Sequence, residues 1–236
     1  MRISTANFFF EKKLWTKGYK HIAGVDEVGR GCFAGPVVAA AVVFQKGETL
    51  RNQGFSLIDD SKKLTRLQRE KAEKWIKKNA ITWGIGEASA SLINRIGMGE
   101  ATKMAFRRAV KAANSKFQMP NVKLDFLLID AFYIPYLRGI RKDRQSPIIK
   151  GDEKSISIAA ASIVAKVYRD KLMISLSEKS KYKKYGWERN KGYGTIEHQK
   201  AILKYGATSY HRSTFIEKFL LNLKLKAQYA ILRRKV

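Results

Sequence analysis

The stretch His21-Ile22-Ala23-Gly24-Val25-Asp26-Glu27-Val28-Gly29-Arg30-Gly31 is followed, five residues later, by Val37-Val38-Ala39-Ala40-Ala41-Val42-Val43-Phe44. The first apolar run, His21 to Val28, reads as a strand that closes on two acids and a glycine-flanked arginine. The second is apolar throughout, as a strand buried on both faces must be. The short glycine-containing link leaves no room for a crossover helix, so the two strands pair antiparallel. Working outward, Ala80 to Ala88 reads as a third strand and Leu124 to Ile129 as a wholly apolar fourth, ending in Asp130. Ser146 to Lys150 reads as a short fifth. Helices are expected from Asp60-Ser61 through Lys62–Lys78, over Ser91–Ala113, and from Ser157 through the small apolar run Ile158 to Val167. After Ser180 the composition shifts to lysine interleaved with tyrosine. The pattern therefore predicts an α/β fold, a mixed sheet flanked by helices, over residues 1–180, with a C-terminal helical appendage over 181–236 that contacts substrate.

Composition narrows the function. The chain has 236 residues, 47 of them Lys or Arg against 20 Asp or Glu, for a net charge of +27. At 45% hydrophobic residues it can bury a core, so it is no disordered basic tail. A charge of this size repels itself and suits a densely anionic partner, for which nucleic acid is the leading candidate. A single cysteine, Cys32, excludes a disulfide framework, and three histidines leave little scope for a zinc site. No apolar run approaches the roughly 20 residues needed to span a bilayer. Phe8-Phe9-Phe10 is broken at once by Glu11, Lys12 and Lys13, which does not read as a signal peptide. The simplest expectation is a monomer in a reducing, cytoplasmic compartment. The bland reading is a non-catalytic basic protein that binds nucleic acid through solvated lysines.

Against that background the informative residues are acids at strand ends. Asp26 and Glu27 close the first strand, Asp130 the fourth, and Asp152 follows the fifth. Carboxylates gathered there repel one another unless cations neutralise them, and hard oxygen ligands select Mg²⁺ or Mn²⁺. Two such ions about 3.5–4 Å apart activate a water and stabilise a leaving oxygen in phosphodiester cleavage. Adjacent strand residues face opposite ways, so Asp26 and Glu27 do not both aim inward along a regular strand. Either the strand bends at Gly29 or one residue contributes through its carbonyl oxygen. Asp26 and Asp130 are the expected central ligands. Asp59, Asp60, Asp143 and Asp170 read as helix caps, turn formers or ion-pair partners.

These residues resemble one family closely. Ala23 to Gly31 with Ala34-Gly35-Pro36 is similar to the opening of ribonuclease HII. Asp60-Ser61-Lys62-Lys63-Leu64, Leu128-Ile129-Asp130, Lys150-Gly151-Asp152, Ala159 through Asp170 and Lys191-Gly192-Tyr193 then follow in family order. The resemblance implies an RNase H-like sheet and endonucleolytic cleavage of RNA in RNA–DNA hybrids. It further implies a cut on the 5′ side of single ribonucleotides in duplex DNA, leaving a 3′-hydroxyl and a 5′-phosphate. The family's four acidic metal ligands fall on Asp26, Glu27, Asp130 and Asp152. Its ribose-reading turn falls on Gly29, Arg30 and Gly31, and its substrate-sensing tyrosine on Tyr193. Ser61 and Lys62, at the expected helix start, suit a backbone phosphate. Gln228-Tyr229-Ala230-Ile231 lacks the spaced aliphatic and paired aromatic residues of a sliding-clamp peptide, so no clamp partner is expected.

Overall fold

The computed structural model describes residues 6–46, 55–117 and 122–233, with the side chains of 226–233 excepted. Five strands form one sheet: β1 (Ile22–Val28), β2 (Val37–Val43), β3 (Thr82–Ala88), β4 (Phe126–Asp130) and β5 (Gln145–Ile148), in the order β3-β2-β1-β4-β5. β1 pairs antiparallel with β2, and β2 with β3, while β4 runs parallel to both β1 and β5. This is the expected mixed sheet.

The uninterrupted apolar character of β2 has a direct cause. Val37, Ala39, Ala41 and Val43 pack into a core beneath α3 (Ala90–Asn114), whereas Val38, Ala40 and Val42 pack beneath α4 (Ile156–Glu178). With helices on both faces, neither set of side chains reaches water. The small residues at the start of α4 let it lie close to the sheet. At Gly24 any side chain would strike the backbone of Ser157 and Ile158.

Several element boundaries differ from expectation, and two of the differences have a clear local cause. The helix expected from Asp60-Ser61 is α2 (Arg66–Asn79), and Asp60 to Lys63 is a turn instead. Thr65 wins the N-cap because its side chain accepts from Gln68 N–H at 3.3 Å while Gln68 Oε1 accepts from Thr65 N–H at 2.8 Å, a reciprocal capping box. The fifth strand ends at Ile148, since Lys150 turns the chain with a φ of 56°.

An additional helix, α1 (Phe9–Thr16), precedes the sheet and is pinned through Glu11, whose Oε1 accepts from Ser155 Oγ at 2.6 Å and from Ser157 N–H at 3.0 Å. Past α4 come α5 (Ser180–Lys183), α6 (Trp187–Asn190), α7 (Ile196–Tyr205) and α8 (Ser213–Arg233). These helices gather Tyr182, Tyr185 and Trp187 into a cluster with Ala34, Met173 and Leu176. The loop after β1 is thereby joined to the C-terminal helices. Among the described residues no helix is long and apolar enough to cross a membrane.

Candidate active site

The parallel register pairs Val25 with Ile129, so Asp26 and Asp130 leave adjacent strands at the same level. Asp26 stands opposite Ala40 and therefore faces α4, where Ser162 bonds its carboxyl. Its Oδ1 also accepts from Glu27 N–H at 2.7 Å. Burial, then the charges of Glu27 and Asp130, push the Asp26 carboxyl well above the usual carboxylate range. Glu27 stands opposite Ala39 and faces α3, so strand alternation is kept. Its Oε1 pairs with Arg30 Nη1 at 3.3 Å, while its buried Oε2 has no protein partner. Burial raises its pKa and Arg30 partly offsets the rise.

Asp130 Oδ1 accepts from Gly151 N–H at 2.8 Å, which fixes the turn carrying Asp152 against the end of β4. Asp152 is buried, and its Oδ2 accepts from Lys62 Nζ at 2.9 Å. Burial first, and the charge of Asp152 next among the raising causes, lift the Asp130 pKa, while Gly151 N–H, Lys62 and Arg30 act against it. The sheet end thus brings Asp26, Glu27, Asp130 and Asp152 within one another's fields. Among the described residues no three acidic, histidine or cysteine side chains stand close enough to form a ready metal cage. The Lys62 ammonium meets this cluster at Asp152, as Arg30 does at Glu27, and the Lys62 pKa is raised, mainly by the bond to Asp152. The donor set suits a hard divalent cation held by a few carboxylates plus water: all oxygen, buried, mutually repelling, with Glu27 Oε2 still free to bond.

Beside the acids lies the glycine-flanked turn. Gly29 has a φ of +90°, and a Cβ there would overlap the Arg169 guanidinium. At Gly31 nothing lies within 4 Å of where a Cβ would be, so the backbone is open to a close-approaching ligand. Arg30 is exposed, with its guanidinium 5.6 Å from the centre of the Phe132 ring. Tyr193 reaches the same turn through a bridge to Cys32, and its ring stays 38% exposed. Burial and Cys32 push its hydroxyl up to about 12, against the opposing effect of Arg169.

Ser61 and Lys62 are placed differently from the expectation. They precede the helix by several residues, so they do not sit at its N-terminus. The buried Ser61 hydroxyl is spent on Ser162 Oγ at 3.0 Å, and Lys62 is spent on Asp152. Ser61 therefore braces the acids from within, and Lys62 from the solvent side.

Two buried arginines organise this region. Arg169 donates to the carbonyls of Ala34, Pro36 and Lys191 at 2.9–3.0 Å. Arg212 donates to the carbonyls of Arg30 and Gly35 at 2.8–3.0 Å. Together they tie the turn after β1 to the Tyr193 loop. A further support is a neutral histidine pair. His198 Nδ1 meets Tyr193 O at 2.8 Å, and its Nε2 meets both Trp187 Nε1 and His211 Nε2 at 3.1 Å. A cation within the otherwise apolar face of α4 was the available signal for Arg169. Arg212 gave none, because its partners lie about 180 residues away in the chain.

The comparisons agree with this geometry. The family model described as Ribonuclease HII matches residues 23–218. The ribonuclease HII of Caldanaerobacter subterraneus is 45% identical over 212 residues, covering 90% of this chain and 80% of that protein. That of Bacillus subtilis is also 45% identical, over 87% of this chain and 73% of its own length. Among solved structures, the Archaeoglobus fulgidus ribonuclease HII, solved in complex with PCNA, superposes with a TM-score of 0.62 at 26% identity. The match covers 81% of this chain and 93% of that one. The sequence expectation about a clamp concerned residues 228–231, whose side chains lie outside the described residues. A family match over this much of the chain, on a mixed sheet that gathers four acids at one end, leads to one conclusion: the chain belongs to the ribonuclease HII family, endoribonucleases of RNA–DNA hybrids.

Proposed function

We propose that this enzyme cuts both RNA in RNA–DNA hybrids and the 5′ side of single ribonucleotides embedded in duplex DNA, with Asp26, Glu27, Asp130 and Asp152 as the metal-binding acids. The observation that carries this reading is the mutual electrostatic contact of those carboxylates, Asp26 and Asp152 buried and Glu27 and Asp130 partly so, beside an exposed Arg30 and a half-exposed Tyr193. Held by the four acids, Mg²⁺ or Mn²⁺, two ions to a site, would supply the Lewis acidity that activates water and steadies a departing oxygen.

The protein's own groups do the selecting. Only RNA presents a 2′-hydroxyl, and the open backbone at Gly31 admits a sugar edge to hydrogen-bonding distance. Arg30 is free at the surface to meet a phosphate, and its bond to Glu27 keeps it beside the acids. Tyr193 offers a flat, desolvated face on which the nucleotide next to the ribose stacks. Lys62 holds Asp152 in place. A purely binding role has no use for buried acids that repel phosphate.

The test is incubation of labelled duplex DNA bearing one ribonucleotide, with Mg²⁺ and with chelator. The expected products carry a 3′-hydroxyl and a 5′-phosphate and form only with metal. Intact duplex in Mg²⁺, alongside cleavage of a continuous hybrid, would remove the single-ribonucleotide activity.

A further inference from the structure

A basic, aromatic surface lies next to the acids, joined to them through Phe132 beneath Arg30. It is built from the loop between β4 and β5, which starts directly after Asp130, and from the outer face of α3. Between residues 131 and 144 the chain carries Arg138, Arg141, Lys142 and Arg144 against a single acid, Asp143, which pairs with Arg141. Along α3, Lys103, Arg107 and Lys111 recur every fourth residue, so they share a face with a spacing of about 6 Å. Glu100 pairs with Lys103, but among the described residues Lys111, Arg138 and Arg144 have no carboxylate within 4 Å. Two shallow cavities, of about 450 and 640 Å³, run along this surface and share Tyr136, Leu137 and Ile140.

The loop is held in place. Gln145 clamps the backbone of Ile134 from both sides, accepting from its N–H at 2.9 Å and donating to its carbonyl at 3.1 Å. Arg107 Nε donates to Pro135 O at 2.9 Å, and Ile134 and Ile140 are buried in the core beneath α3. What this frame presents to solvent is aromatic. Tyr136 is 93% exposed and has a φ of 54°, a backbone state that bulky residues seldom adopt. Tyr133 is also exposed. Each ring has a cation beside it, Arg107 at 5.9 Å from Tyr136 and Lys142 at 5.0 Å from Tyr133. Phe132, in the same loop, is the ring that Arg30 covers, so the surface is continuous with the site.

Exposed rings flanked by cations suit the open faces of unpaired bases, and a row of cations tracks a phosphate backbone. We infer that the β4–β5 loop and the outer face of α3 bind a single-stranded extension of the nucleic acid whose duplex part occupies the active site. This rests on the reading of the acids as the active site, but the binding itself needs neither metal nor cleavage.

The test is fluorescence anisotropy without divalent metal, using three probes: blunt duplex DNA with one ribonucleotide, the same duplex with an oligothymidine tail of about 15 nucleotides, and the tail alone. The tailed duplex should bind at least about five-fold tighter than the blunt one, the gain expected from one stacked base. The double variant Tyr133→Ala/Tyr136→Ala should remove that gain, as should a tail of abasic backbone, while blunt-duplex affinity and the melting temperature stay at the parental values. No gain from the tail, a gain that survives the double variant, or an equal loss on blunt duplex would overturn the inference. In the last case the surface serves the duplex flank. A surface that instead captures acidic protein would show no tail effect at all. Failure of the active-site reading shows up separately, as absent cleavage of blunt substrate in Mg²⁺ with the tail effect intact.

Discussion

Tyr193 shows how a single residue's setting defines its task. Its hydroxyl is pushed up to about 12, so it stays protonated and serves as a flat, neutral contact surface at any working pH. Tyr193→Ala should lower cleavage at a ribonucleotide in duplex DNA by about ten-fold or more while leaving duplex binding within about two-fold, since a contact that positions the junction acts on the transition state whereas phosphate contacts dominate affinity. Single-turnover rates set against anisotropy would separate the two, and equal losses would make the residue structural. The acids were legible in the sequence because a carboxylate ending an apolar strand in so basic a chain needs a reason. The roles of Ser61 and Lys62 were less so. Their partners Ser162 and Asp152 lie about 90 to 100 residues away, and nothing local signals that these side chains turn toward the acids.

Among elements, the turn after β1 depends on two guanidiniums that the apolar pattern conceals. Arg212 is fully buried, and desolvation pushes its pKa down to about 10. Its three donors saturate the carbonyls of Arg30 and Gly35, groups that no other element reaches. Arg212→Ala should therefore cost about 3 kcal/mol, the sum expected for buried carbonyls left unpaired. Arg212→Lys, with one compact ammonium in place of a planar fork, should restore only part. Urea midpoints would report both, and an unchanged midpoint for the alanine variant would contradict the clamp. Strand identity and the antiparallel pairing of β1 with β2 were readable from apolar runs and a short link. The start of α2 was misread because Asp60-Ser61 resembles a cap, although Thr65-x-x-Gln68, the signature of the capping box actually used, lay a few residues on. The exposure of Tyr133 and Tyr136 was not readable either, since it depends on Gln145 and Arg107 fastening the loop from outside it.

For the molecule as a whole, the C-terminal helices and the sheet share one support, and that support is sensitive to pH. His211 is buried, and desolvation, then the charge of His198, push its pKa down from 6.5 to about 4. The folded protein keeps it neutral, whereas an unfolded chain takes up a proton near pH 6.5. Stability from this group is complete above pH 6.5 and is lost as pH falls toward 4, by up to about 3 kcal/mol. His211→Gln should flatten the decline in melting temperature across that window, and an unaltered slope would show that the pair does not titrate there. The net charge of +27 acts on the same scale, supplying affinity without sequence preference and leaving discrimination to the few residues at the sheet end. The most direct measurement is turnover of an RNA–DNA hybrid by Asp130→Asn in saturating Mg²⁺, with hybrid binding followed in parallel. The account predicts cleavage lost by at least about a thousand-fold, as expected when metal-centred charge stabilisation is removed, with binding unchanged or tighter. Turnover at the parental rate would contradict it.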